Sequence, residues 1–192
     1  YKSIISKHKY KIMENFSVFK VNRHQNLIAE VDRLPYQQMN IIGKEEVETV
    51  LILDNIMDTF NIGSIIRTAV NLGVKNVIVN KRGPGESAAV VKAAAGMFEG
   101  INFIPVVNIV STVKLLKQKE FWVIGLTAHS QNSIDSVTRM GKRIAIIIGS
   151  EDKGMRSLVY KNLDLSVKIP ILGESLNASN AAAIALFAFR NK

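Results

Sequence analysis

Apolar residues along this chain follow two alternating rhythms, and the alternation predicts the fold. Residues 49–54 (TVLILD) form a compact β-branched run that reads as a strand, after which Ile62, Ile65, Ile66, Ala69 and Leu72 recur at helical spacing until Gly73. Asp58 or Asn61 suits the helix N-cap, and Gly73 suits the left-handed position that closes a helix. Asn76–Asn80 (NVIVN) predicts the next strand, followed by a Gly-Pro-Gly loop at 83–85 and an alanine-rich helix around 88–95. Further strands fit 103–107, 121–127, 144–148 and 165–169, and helices fit 111–119, 155–162 and 177–190. Strands alternating with helices in this way predict an α/β fold, with helices on both faces of a mostly parallel sheet. The run Ala181-Ala182-Ala183 predicts that the last helix packs very closely against a neighbour.

Three stretches set polar residues at the ends of these apolar segments: 61–67 (NIGSIIR), 149–154 (GSEDKG) and 175–180 (SLNASN). Asn61, Arg67, Glu151, Ser175 and Asn177 are far apart in the chain, yet a parallel α/β sheet places ligands beyond the carboxyl ends of its strands and would gather them into one composite site. Each stretch taken alone has a plainer reading. Arg67 projects off the apolar face of its helix, as a solvent-facing arginine does. Gly149–Gly154 serves equally as an ordinary strand-to-helix turn, and Ser175 and Asn177 are standard capping residues. On the functional reading, Asn61 stands at a helix mouth whose backbone N–H groups are free to meet an anion, and the glycines let a ligand approach the backbone closely.

Composition narrows the chemistry. With 192 residues, 47% hydrophobic and 21% charged, the chain is expected to form one domain, 23–192, preceded by a basic segment at 1–22. No apolar run reaches the roughly 18 residues of a membrane span and the opening lacks a secretory core, so a cytoplasmic protein without a membrane partner is expected. The absence of cysteine removes disulfides, thiolate catalysis and cysteine-bound zinc, and His8, His24 and His129 are too scattered for a metal-ligand spacing, so no metal is expected. The net charge of +9 is uneven: residues 1–23 hold six cations against Glu14 alone. Such an arm suits phosphate contacts with a polyanion, or is simply a solvated terminus. Smaller basic groups at Lys81-Arg82, Arg139-Lys142-Arg143 and Lys153-Arg156 lie beside the polar stretches and favour a polyanionic substrate.

Taken together and in order, residues 61–69 (NIGSIIRTA), 146–155 (IIIGSEDKGM) and 169–187 (IPILGESLNASNAAAIALF) resemble the three motifs of the SpoU (TrmH-like) branch of the SPOUT RNA methyltransferases. Arg23-His24-Gln25 with Leu27-Ile28-Ala29 is similar to the segment entering the catalytic domain of bacterial 23S rRNA (guanosine-2′-O-)-methyltransferases. The resemblance implies S-adenosyl-L-methionine as cofactor, methyl transfer to an RNA ribose 2′-hydroxyl, a SPOUT fold with a C-terminal trefoil knot, and a homodimer. It implies RNA rather than DNA as partner, with rRNA ahead of tRNA. By the same correspondence Gly149, Ile169, Leu176 and Thr127 hold the cofactor, while Arg67, Glu151, Asn61, Asn177 and Ser175 form the catalytic and substrate-facing set. Asn180 stands where many members carry an apolar or smaller residue, a difference expected to bear on packing of the last helix.

Two other readings compete. A dinucleotide-binding enzyme predicts G-x-G-x-x-G after the first strand and an acidic residue about 20 positions on, and the chain has neither. A non-catalytic RNA binder of the same fold needs the basic surface but not Arg67 or Glu151.

Overall fold

The computed structural model describes residues 35–137, 141–173 and 175–190. The basic segment 1–22 and the 23–29 resemblance lie outside the described residues. Six strands form one sheet: β1 (Glu48–Asp54), β2 (Asn76–Asn80), β3 (Asn102–Val106), β4 (Trp122–Leu126), β5 (Arg143–Gly149) and β6 (Leu165–Val167). Their spatial order is β3-β2-β1-β5-β4-β6, and every pairing is parallel. Among the described residues, helices α1 (Thr59–Asn71), α2 (Ala88–Ala93), α3 (Ile109–Gln118) and α4 (Ser157–Tyr160) lie between strands, and α5 (Ala178–Ala188) follows β6. The helices predicted over 88–95, 155–162 and 177–190 all form and are shorter than predicted. In the case of α4, only one turn forms before the chain swings into β6.

Period-two alternation of strand side chains explains why these strands read as continuous apolar runs, because both faces of the sheet are covered. Leu51 and Leu53 of β1, with Val77, Val79, Ile146 and Ile148, point to a core shared with α1, α2 and α5. Val50 and Ile52, with Ile78, Ala145 and Ile147, point to a second core shared with α3. Helix α1 buries Ile62, Ile65, Ile66 and Ala69 as its spacing predicts, and it ends at Gly73, which adopts a φ of 82°. The close packing expected of α5 is present: Ala178, Ala182 and Ala185 are buried against the sheet and α1. Asn180 is exposed, so its amide does not disturb that packing.

The strand order positions the site. The chain winds outward from β1 through β2 to β3, then crosses to the other half of the sheet, leaving β1 and β5 as neighbours from which the connections diverge. A crevice beyond the carboxyl ends of strands at such a switch point is where open α/β sheets bind ligands. Asp54 of β1 lies opposite Gly149 of β5 there.

Candidate active site at the carboxyl ends of the sheet

Asp54 is fully buried at the end of β1 and clamps the loop that follows β5. Its carboxylate accepts Arg156 N at 2.9 Å and Arg156 Nε at 2.8 Å, and Arg156 Nη2 lies 2.6 Å away. A buried carboxylate needs such charge-assisted partners, and this one fixes the 150–156 turn against the sheet. Ser150 and Gly154 close the turn by exchanging backbone hydrogen bonds of 3.2 and 2.9 Å. A Cβ on Gly149 would lie 2.3 Å from the Gly154 carbonyl carbon and 2.4 Å from Met155 N. Glycine is therefore required here by the turn's own backbone, a cause distinct from ligand approach.

Glu151, held in that turn, draws two other motifs together. Its Oε1 accepts Asn61 Nδ2 at 3.1 Å, Asn177 Nδ2 at 2.6 Å and the backbone N of Ala178 at 2.9 Å. Asn177 Nδ2 also lies 2.9 Å from Asn61 Oδ1, and Asn177 Oδ1 accepts Ser179 N at 2.9 Å and Ser179 Oγ at 2.6 Å. Asn177 is the N-cap of α5, and the Glu151 carboxylate completes the cap where the helix dipole favours negative charge. Asn61 is almost fully buried. Its helix is capped by Asp58, whose Oδ1 accepts Asn61 N at 2.7 Å. The mouth of α1 is thus occupied by a carboxylate, which corrects the expectation that the Asn61 N–H is free for an anion.

Arg67 stands apart from this cluster. It is exposed, lies nearly two turns beyond Asn61, and together with Ser64, Thr68 and Asn71 faces Ala183 and Phe187 of α5 across an open groove of about 500 Å³. Its guanidinium has no hydrogen-bond or ion-pair partner among the described residues. Glu151 does not orient it within one copy of the chain. Ser175 is exposed and shares no hydrogen bond with the cluster among the described residues.

The residues expected to hold the cofactor lie at adjacent strand ends. Gly149 closes β5, Thr127 follows β4 and Ile169 follows β6, and these strands are neighbours in the order β5-β4-β6. Thr127 N donates to Val167 O at 2.9 Å, tying two of these ends together, and Ile169 packs on the core. Beyond Ile169, residues 169–173 and 175–176 make no backbone hydrogen bonds among the described residues. That run of open donors and acceptors beside apolar Ile169 and half-buried Leu176 fits an adenine ring, which needs both. Among the described residues, no group of three or more His, Cys, Asp or Glu could hold a metal ion, and no helix is long and apolar enough to cross a membrane.

The model of the SpoU rRNA Methylase family matches residues 48–187, a span that contains all three motifs. The chain belongs to this family. The 23S rRNA (guanosine-2′-O-)-methyltransferase RlmB of Nitrosomonas europaea is 39% identical over 171 residues, covering 86% of this chain and 65% of its own. A Staphylococcus aureus protein provisionally named a TrmH family tRNA/rRNA methyltransferase is 40% identical over 162 residues, covering 83% of this chain and 64% of its own. The chain therefore spans just under two thirds of these relatives. The AdoMet-bound rRNA methyltransferase of Sinorhizobium meliloti superposes with a TM-score of 0.75 at 24% identity, covering 80% of this chain and 60% of its own, and shows that the SpoU fold is shared.

The sequence pattern did not single out Asp54 or Ser179, offered Asp58 as one of two candidate caps, and marked Arg156 only as part of a basic group. Asp54 carried one legible signal, a carboxylate flush with the end of an apolar strand. Its partner lies 102 positions away, at a distance no local pattern encodes.

Proposed function

We propose that this chain is the catalytic domain of an S-adenosylmethionine-dependent RNA methyltransferase acting on a ribose 2′-hydroxyl, that of a guanosine in rRNA. The observation that carries the reading is the meeting of all three family motifs in one hydrogen-bonded cluster, with Glu151 holding Asn61, Asn177 and the start of α5 at the sheet's switch point. Guanosine and rRNA rest on the Nitrosomonas relative. A tRNA substrate is the second reading, favoured by the name of the Staphylococcus relative.

When bound, S-adenosylmethionine supplies an electrophilic methyl group, so the protein's tasks are to align the ribose hydroxyl and manage its proton. The backbone at Gly149, Thr127, Ile169 and Leu176 is suited to hold the cofactor. Arg67, a guanidinium that stays protonated, is a poor base and acts instead on the developing alkoxide or an adjacent phosphate. Glu151 Oε1 is occupied by three N–H donors, which leaves Oε2, without a partner among the described residues, to receive the ribose proton. Asn61 and Asn177 are positioning residues, and Ser175 is assigned to the substrate side.

The proposal includes a homodimer and the trefoil knot. From Ala181 to Ala188 helix α5 is apolar on every side, with Ile184 39% and Phe187 56% exposed, and Phe60, 70% exposed, shares the outer stripe of α1 with Ser64, Arg67 and Asn71. A second copy covering this face would enclose Arg67 in the interface. Support for the knot comes from the 130–134 loop, which bonds across the C-terminal side of β6 through Ser130 Oγ to Ser166 O at 2.7 Å and Ile134 N to Lys168 O at 2.8 Å.

Calorimetric titration with S-adenosylmethionine and with NAD, followed by mapping of 2′-O-methyl groups in rRNA and tRNA from cells lacking the protein, tests the reading. Binding of the first ligand alone and loss of one rRNA guanosine mark are expected. NAD binding or an unaltered methylation map would overturn it, and a lost tRNA mark would establish the second reading.

A further inference from the structure

A second cavity, of about 260 Å³, opens at the carboxyl ends of β1 and β2, on the far side of Asp54 from the Glu151 cluster. Its floor is apolar: Leu53, Ile56, Ile62, Val79 and Phe103. Its rim is polar, formed by Asn55, Asn80, Arg82 and Arg156 with the Gly83–Gly85 loop. No acidic side chain lines it, and Asp54, the carboxylate behind Arg156, is already paired. The volume lies below the roughly 300–1,000 Å³ of sites for drug-sized ligands, which leaves room for one nucleoside.

We propose that this cavity binds one unpaired RNA nucleotide adjoining the methylated one, with its base over the apolar floor and its phosphate on Arg82. The inference rests on the RNA methyltransferase reading and specifies a second contact for the same strand. The Arg156 guanidinium is held rigid by Asp54 through Nε and Nη2, yet its side chain is 47% exposed, so it presents a fixed plane of the kind on which unstacked bases rest. Asn80 Oδ1 accepts Arg82 N at 2.9 Å, which orders the loop carrying Arg82, while Asn80 Nδ2 has no partner among the described residues and is available to a base edge. Arg82 itself is exposed, with Lys81 beside it, so the mouth of the cavity is cationic. Ile62 of the floor follows Asn61 of the cluster directly, which makes the two places successive along the sheet edge and suited to successive nucleotides.

The test uses the full chain and a short single-stranded RNA carrying 4-thiouridine. Photocross-linked peptides are expected to include residues 55–57 or 80–85. Arg82→Ala should weaken RNA binding at least about fivefold by fluorescence anisotropy, the loss expected for one arginine contact, while Lys114→Ala, which removes the same charge from α3, should not. Calorimetry with S-adenosylmethionine should be unaffected by Arg82→Ala. Equal affinity of the Arg82→Ala and parent proteins, an equal loss in Lys114→Ala, or cross-links confined to other segments would each overturn the proposal. Failure of the parent to bind S-adenosylmethionine would instead count against the methyltransferase reading, because these RNA measurements need no cofactor.

Discussion

The Glu151 cluster and the Arg67 groove lie on the same two helices and are built in opposite ways. In the cluster, every described amide or carboxylate contact is made within the protein, at 2.6 to 3.1 Å, and Asn61 is buried. In the groove, Arg67 stands exposed beside Ala183 and Phe187, its guanidinium with no partner among the described residues. The contacts of the cluster hold its geometry and leave Glu151 Oε2 as the carboxylate oxygen without a partner among the described residues. An unsatisfied guanidinium is instead available to whatever comes from outside, whether RNA or a second copy of the chain. Stability and turnover should therefore separate between the two regions.

Arg67→Ala gives the largest expected effect, a loss of about a hundredfold or more in methyl transfer, as for removal of one preorganised charge stabiliser. Its melting temperature should stay near that of the parent, since exposed substitutions usually change stability by less than about 0.5 kcal/mol. Arg67→Lys should restore little, because an ammonium lacks the planar fork. Normal turnover in Arg67→Ala would make it a surface residue and erase the contrast.

Glu151→Ala should lower both activity and stability. It leaves the buried Asn61 amide and the first N–H of α5 unpaired, at about 1–3 kcal/mol for each buried group left unsatisfied. Glu151→Gln keeps an oxygen for these donors and sharpens the comparison: stability should largely return while turnover stays low. Full turnover in Glu151→Gln would remove Oε2 as the proton acceptor and leave Glu151 a positioning residue alone.

Ala182→Leu tests whether the two regions are mechanically joined, because fully buried Ala182 sits on α5 between the Asn177 cap and Phe187. Overpacking should cost about 1–3 kcal/mol, read as a lower melting temperature together with weaker S-adenosylmethionine affinity or reduced dimer content. Parent-like melting, calorimetry and sedimentation would show α5 to be less tightly seated than it is here. The smallest effect is expected from chelator: EDTA should leave methyl transfer unchanged in the parent and in Arg67→Lys alike. A reversible loss of activity would show that the reaction depends on a metal and overturn the metal-free account.

Much of this could be read from the chain before any tertiary contact was known. The alternating rhythms located all six strands to within two residues at most ends, and the three ordered motifs carried the family resemblance. Local chemistry was legible where its partners are local, as with Asp58 capping α1 and Gly73 ending it. Two helices were overextended where a buried apolar residue follows the last helical turn, Ala94 after α2 and Phe189 after α5.

By itself, the sequence determined the order of strands and helices, the burial of both sheet faces and the family, because each is written in spacings of two to four residues or in short motifs. Only the tertiary structure decided that Glu151 closes on Asn61 and Asn177, which lie 90 and 26 positions away, that Asp54 clamps Arg156, and that Arg67 is left outside the network. Those contacts depend on β5 returning to lie beside β1 rather than beside β4 alone. Strand order of that kind is set by how the whole set of helices packs, which no local period along the chain records.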